Sequence, residues 1–290
     1  MPDFAIRTAV IPAAGFGTRM LPATKVVPKE LLPVLDRPAI DYAVAEAAAI
    51  GIRDIVIVIA PSKMALPAYF ARRPELERAL HASGKRELLA ELAAIGAGCR
   101  VRFVEQVTPR GLGDAVARTR GLVGTGPFAV LLPDVLIDAI PGGLSQLTDA
   151  FDGAPLVMVH EVDGAEVGRY GIAAPDPRRA GMLADLVEKP TPEAAPSRLA
   201  VTGRYILTSE VFDALGATPP GAGGEIQLTD ALRRMLAAGH PVGWRRVRGQ
   251  VHDLGNVEGW LAANLALAGR RGLLPAGEDA LAPAAEVAMQ

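Results

Sequence analysis

Short runs of β-branched and aliphatic residues at 8–12, 55–59, 101–104 and 129–132 alternate, through the first half of the chain, with Ala- and Leu-rich stretches of helical spacing at 40–50 and 74–95. This alternation narrows the choice of folds sharply. Apart from Arg102 the runs are mainly apolar rather than alternately polar, which argues for strands covered on both faces by the intervening helices. The first half therefore reads as βαβ units on a mainly parallel sheet, an α/β fold of the Rossmann-like, doubly wound kind. Beyond about position 155 the pattern becomes strand-rich, with runs at 156–160, 171–173, 182–187 and 199–207 between Gly, Pro and Asp turns. Helical spacing returns at 227–238 and 257–267, and the Ala-, Pro- and Glu-rich stretch 273–290 reads as a flexible tail.

With 290 residues, half of them hydrophobic, the chain can bury a full core. Its 30 basic and 32 acidic side chains leave a formal charge of −2, which provides no global field toward nucleic acid or an anionic membrane surface. Anions must be bound locally. The single cysteine, Cys99, has no partner for an intramolecular disulfide and reads as a small buried apolar residue in a reducing compartment. The first residues lack a basic and apolar leader pattern, and no apolar run approaches a membrane span, so the expected location is cytoplasmic.

Directly after the first strand run comes Ala13-Ala14-Gly15-Phe16-Gly17-Thr18-Arg19, followed by Lys25 and Lys29. Small residues let backbone N–H groups approach a polyphosphate, and three cations follow within one short segment. A loop at the carboxyl end of a strand is also where open α/β sheets bind ligands. It is neither common phosphate motif: position 20 is Met where a dinucleotide fingerprint needs a third Gly, and no Gly-Lys-Ser/Thr is present.

The stretch GFGTRMLPATKVVPKELLPV resembles the signature of the sugar-phosphate nucleotidyltransferases, and its PATK segment resembles the UTP–glucose-1-phosphate uridylyltransferase branch. The resemblance runs with collinear motifs from about Arg7 to Ala268. It implies a nucleotidyltransferase fold with a strand-rich sugar-binding lobe. It further implies one domain over 1–272, with a nucleotide-binding half at about 7–154 and a sugar-binding half at about 155–272.

On their own letters the remaining motifs are ambiguous. Glu105-Gln106-Val107 through Gly111-Leu112-Gly113 fits an ordinary strand-to-helix loop, although a Gln amide beside glycines also suits a base edge with donors and acceptors. Asp134, after Leu131-Leu132-Pro133, fits a helix cap and a cation ligand equally well. Glu188-Lys189-Pro190 reads as a solvated strand end, and Glu225 to Asp230 as the start of an amphipathic helix. The resemblance gives these residues roles. It implies that Ala13, Ala14, Gly15, Gly17, Thr18 and Lys29 line the nucleotide, with Lys29 a further phosphate contact or a partner of Glu30. Gln106, Gly111 and Gly113 would read the uracil, and Gly171, Glu188 and Glu225 the hexose. Arg19 would take the β- and γ-phosphates, Lys25 the charge at the α-phosphate, and Lys189 the sugar phosphate. Asp134 and Asp253 would hold Mg²⁺ through oxygen ligands, the kind this cation prefers. The substrates implied are UTP and glucose 1-phosphate, and the assembly implied is a homodimer or homotetramer.

Three positions depart from the branch: Asp114 stands where His is usual, Val257 where Lys is usual, and Leu254 where Cys is common. The first two leave open a different nucleotide such as dTTP or CTP, another hexose phosphate, or a weakly active paralogue that binds nucleotide sugar. A nicotinamide dehydrogenase would rest on the glycine loop alone.

Overall fold

The protein is described from a computed structural model covering residues 5–274, so positions 275–290 of the expected tail lie outside the described residues. Among the described residues thirteen strands form: β1 (Thr8–Ala13), β2 (Pro33–Val34), β3 (Arg37–Pro38), β4 (Asp54–Ile59), β5 (Arg100–Glu105), β6 (Phe128–Leu131), β7 (Val135–Asp138), β8 (Leu156–Glu161), β9 (Gly171–Pro175), β10 (Leu183–Glu188), β11 (Leu199–Leu207), β12 (Gly243–Arg246) and β13 (Gln250–Asp253). The main sheet runs β10-β9-β11-β6-β1-β4-β5, with β8 and then β12 branching from β11.

The N-terminal strands β6, β1, β4 and β5 are parallel, as their apolar runs require. Successive side chains leave on opposite faces and divide one strand between two cores. Val10, Val56, Val58 and Val130 pack on one face with the helices Val211–Ala217 and Leu228–Ala237. Ala9, Ile11, Ile55 and Ile57 pack on the other with Ala39–Ala49 and Gly143–Thr148. Each such Val or Ile, fully buried, contributes roughly 1.5–3 kcal/mol.

The strand-rich half continues this sheet. Strand β11 runs antiparallel to β6 and pairs with β8 and β9, with a register break between Val201 and Tyr205. Gly203 lies in that break at φ +69°, and its missing side chain leaves room for Leu132.

The single helix expected over 74–95 is instead two, Pro74–Ala82 and Arg86–Ala94, neither with a buried residue. Gly84, at φ +70°, ends the first: its N–H donates to His81 O and the next N–H, of Lys85, to Leu80 O. Cys99 is half-buried rather than buried, and its thiol lies 3.8 Å from Ile52 O. Among the described residues no helix is long and apolar enough to cross a membrane.

The pair that most directly shapes the site went unread in the sequence. Strands β7 and β13 align antiparallel with Val135 opposite Asp253, and Leu254 N donates to Asp134 O at 2.7 Å. Asp134 and Asp253, far apart in the chain, thus become neighbours through backbone pairing.

Candidate active site

Strand β1 delivers the chain to Ala13, and the following loop descends through three short 3₁₀ turns, Thr18–Met20, Ala23–Lys25 and Lys29–Leu31. Gly17 sits at φ +69°, and a Cβ there would lie 3.2 Å from Lys29 Cβ, so the loop needs glycine both for its bend and for its closeness to Lys29. Thr24 Oγ1 donates to Gly17 O at 2.8 Å and ties the two ends of the bend. Gly15 has open space where its side chain would be. Beneath the loop, buried Lys63 donates to Ala13 O at 2.8 Å and to both oxygens of fully buried Glu30 at 2.9 and 2.8 Å. Burial pushes the Glu30 carboxyl up and the Lys63 ammonium down, and their mutual attraction opposes both shifts.

The metal-side carboxylates are dressed in cations. Lys29 Nζ donates to Asp134 Oδ2 at 2.5 Å. Burial pushes the Asp134 carboxyl up, but Lys29 and Arg19 outweigh it and hold it below the usual carboxylate range. Asp253 Oδ2 accepts from Arg19 at 3.2 Å, Arg169 at 3.1 Å and Asn256 at 2.8 Å, while Oδ1 accepts from Gly255 N at 2.9 Å. A Cβ on Gly255 would lie 3.0 Å from Asp253 Oδ1 and 3.2 Å from Asp134 Oδ2, which places both carboxylates around one small gap. Two converging carboxylates fit a Mg²⁺ ion, which typically takes one or two protein carboxylates and completes its shell from substrate phosphates and water.

On the base side, Gln106 is 3% exposed, and its Nε2 donates to Asp114 Oδ2 at 2.7 Å and to Gly111 O at 3.1 Å. Gly111, at φ +101°, has no room for a side chain: a Cβ would lie 2.7 Å from Glu225 Cβ and from Ile226 O. The Gly113 N–H already donates to Ile226 O at 2.8 Å, so Gly113 contributes close packing.

On the sugar side, Gly171 is buried, and a Cβ there would lie 2.8 Å from Thr229 Oγ1 and 3.1 Å from Glu188 Oε2. Burial pushes the Glu188 carboxyl up, with Thr229 and Lys189 opposing. Lys189 has φ +45°, an unusual backbone for a non-glycine residue, held by its N–H to Tyr170 O at 3.0 Å. Glu225 Oε2 accepts from Gln227 Nε2 at 3.0 Å, and Ile226 N donates to Arg110 O at 2.7 Å, which stitches this segment to the base-side loop.

One cleft of about 220 Å³ is lined by Ala14, Gly15, Lys29, Gln106, Gly111, Asp134 and Glu225, among others. A second, of about 190 Å³, is lined by Arg19, Asp134, Arg169, Tyr170 and Asp253. The two share Leu132 and Asp134. Lys25, Thr18 and Lys189 are exposed and line neither, and Ala13 faces the core, offering its carbonyl to Lys63. A larger cavity of about 790 Å³ lies beside Pro74–Ala82 and Arg86–Ala94; its walls are mostly apolar, it has no glycine in its lining, and of its charged residues Arg72 and Glu77 are paired with each other.

Residues 8–270 match the family model described as Nucleotidyl transferase. The chain belongs to the nucleotidyl transferase family. A Bacillus subtilis relative named UTP--glucose-1-phosphate uridylyltransferase YngB is 44% identical over 89% of this chain and 88% of its own length. Among solved structures, a UDP-glucose pyrophosphorylase complexed with UDP-glucose is 38% identical, with a TM-score of 0.83 over 92% of this chain and all of that one. A UTP-bound UGPase from Acinetobacter baumannii is 40% identical, with a TM-score of 0.80 over 91% and 94%.

Within this nucleotidyl transferase the site contains residues that the sequence reading missed. Arg169 directly precedes the Tyr170-Gly171 motif, a position that signals proximity but not its ion pair with Asp253. Asn256 both donates to Asp253 and caps the helix Val257–Arg270 by accepting from Gly259 N at 2.8 Å. Lys63 carries no local signal at all. Of the departures, Leu254 is buried among Val34, Ala39 and Leu136, and Val257 is exposed at the start of that helix.

Proposed function

We propose that this chain transfers a uridylyl group from UTP to α-D-glucose 1-phosphate, giving UDP-glucose and pyrophosphate. The observation that carries this reading is the convergence, around Asp134, of a cation-bearing glycine loop, an oriented Gln amide and a second carboxylate. The names of the relatives fit the same chemistry. A phosphate oxygen of the sugar phosphate attacks the α-phosphorus of UTP, the bond to pyrophosphate breaks, and pyrophosphate leaves with its electrons.

Two polyanions meet in this reaction, so positioning and charge neutralisation supply most of the catalysis. In our reading Ala14, Gly15 and Gly17 admit the polyphosphate, with Arg19 and Lys29 on its outer phosphates. Lys25, exposed and with no side-chain partner among the described residues, can meet charge at the α-phosphate. Gln106 and Gly111 face the uracil. Gly171, Glu188 and Glu225 face the hexose, and Lys189 its phosphate. Asp134 and Asp253 would hold Mg²⁺, which supplies neutralisation of the phosphate charge when bound. The reading takes 1–272 as one catalytic unit, working in the cytoplasm as a homodimer or homotetramer, which light scattering measures.

The test is pyrophosphate release with Mg²⁺, glucose 1-phosphate and each of UTP, dTTP, CTP, ATP and GTP. The expected result is fast release with UTP alone. A different preferred nucleotide refutes the specificity, and nucleotide binding without release refutes the activity.

A further inference from the structure

The buried carboxylate of Asp114 has no part in the chemistry above, yet it is the most heavily bonded acid on the base side of the cleft. It is 4% exposed and accepts from Gln106 Nε2 at 2.7 Å, Arg110 Nη2 at 2.6 Å and Arg118 Nε at 2.9 Å. Burial pushes its carboxyl up, but these three donors outweigh burial and keep it below the usual carboxylate range, so it is ionised at neutral pH. An ionised carboxylate has no proton to donate. Its neighbour on Gln106 must therefore be the amide nitrogen, which settles an orientation that side-chain shape alone leaves open. Gly111 O, also an acceptor, takes the other amide hydrogen at 3.1 Å. Both donors of the Gln106 amide are thereby committed to the protein. Among the described residues no donor reaches its Oε1, and Gln106 lines the cleft.

We propose that Asp114 is a positioning residue for base selection: it locks the Gln106 amide so that only its carbonyl oxygen is offered to the nucleobase. The proposal rests on the uridylyltransferase reading of the cleft. An acceptor in that place is matched by a pyrimidine carrying a ring N–H. Uracil in a nucleotide has one such donor, N3–H, whereas cytosine has an unprotonated N3 whose lone pair opposes the carbonyl. Arg110 and Arg118 keep the carboxylate charged, and their own guanidinium groups cannot accept from the amide. The departure at position 114 is thus a working part of the base pocket. An acid there does for the amide what any acceptor at this distance would do, with the proton ambiguity removed.

The experiment is steady-state pyrophosphate release with Mg²⁺, glucose 1-phosphate and either UTP or CTP. It uses the wild type, Asp114→Asn, Gln106→Ala and the double variant, with melting temperatures recorded. An Asn at 114 can donate as well as accept, so of the two acceptors that fix the Gln106 amide only Gly111 O, at the longer distance of 3.1 Å, still demands the nitrogen, and the turned-over amide becomes accessible. One hydrogen bond's worth of discrimination is lost: KM for UTP rises roughly tenfold, kcat stays within about threefold, and the UTP-to-CTP preference narrows roughly tenfold. In the Gln106→Ala background the same substitution changes neither KM nor preference, because Asp114 acts through the amide. Asp114→His, which can turn an acceptor nitrogen toward Gln106, retains the UTP preference. Unchanged KM and preference in Asp114→Asn, or an undiminished effect without Gln106, overturns the proposal. If the wild type releases no pyrophosphate, the reading of the site fails separately. Calorimetric binding of UTP and CTP to the same proteins then decides whether Gln106 and Asp114 are coupled.

Discussion

Gly255→Ala tests whether the gap between the two carboxylates is the metal site. A methyl group at this position would meet Asp253 Oδ1 at 3.0 Å, Asp134 Oδ2 at 3.2 Å and Arg19 Nη2 at 2.5 Å. The guanidinium can swing aside, since the Arg19 side chain is 53% exposed and flexible. The carboxylates have less freedom: Lys29 holds one, and Arg169, Asn256 and Gly255 N hold the other. The methyl group therefore forces them apart by a few tenths of an ångström. Mg²⁺ demands near-ideal octahedral geometry at about 2.0–2.1 Å, so it tolerates such a displacement poorly. Disturbing the groups that orient metal ligands typically costs about 10–100-fold in affinity, or roughly 1.4–2.7 kcal/mol. In a Mg²⁺ titration of pyrophosphate release at saturating UTP and glucose 1-phosphate, the half-saturating concentration should rise by that factor. Excess metal should restore most of the rate. The backbone at Gly255 is not left-handed, so the melting temperature should change little. A Mg²⁺ titration that superimposes on the wild type would show that the metal is not held between Asp134 and Asp253.

Lys25→Ala should lower kcat by two orders of magnitude or more, since a charge contact made at the transition state is worth roughly 3 kcal/mol; with no side-chain partner lost among the described residues, its melting temperature should match the wild type, and near-normal turnover removes Lys25 from the mechanism. Lys29→Met strands the Asp134 carboxylate, and thermal unfolding at pH 7 should show a loss of roughly 3 kcal/mol. The sign of its pH dependence follows from the two shifts: Asp134 lies below its usual value and Lys29 above its own. The pair's stabilisation is therefore complete between about pH 5 and 9, and it fades as pH falls through the lowered Asp134 value. A penalty independent of pH down to the acid limit contradicts the pairing. Glu46→Ala leaves the guanidinium of Arg204, 2% exposed, without the acceptor it holds at 2.8 and 3.0 Å. The loss should be roughly 3–5 kcal/mol, read as a fall in melting temperature of roughly 10 °C. Because Arg204 also donates to Leu132 O and Val135 O on either side of Asp134, activity should weaken well below that temperature.

What the sequence made legible was local. The apolar runs located strands β1, β4 and β6 to within a residue or so, because burial on both faces leaves a continuous hydrophobic signature; β5, half-buried and interrupted by Arg102, was found from a mixed run of the same length. The glycine loop was legible for the same reason: its bend, its small residues and its cations lie in one segment. The break at Gly84 was also available in the letters, since Ser83-Gly84 is a helix-ending pattern, but the strong helical composition on either side obscured it. Strands β7 and β13 were not legible. Each has four residues of mixed polarity, and their pairing is decided by where the rest of the fold places them.

That pairing matters more to the site than any motif. It sets Asp253 beside Asp134, and with them Arg169, Asn256 and Gly255, none of which carried a metal-site signal of its own. The same holds for Lys63, whose ammonium reaches across from a different segment to fix both the end of β1 and Glu30 under the loop. Asp114 marks the limit of reading a site by resemblance. Against a family pattern it registers only as a mismatch. Against its neighbours it is a buried acid whose three donors include the amide that faces the base, so its meaning depends on Gln106, Arg110 and Arg118 together. A substitution that looks like damage in one dimension can be a different solution in three, and the Gln106 double-mutant cycle is the measurement that distinguishes them.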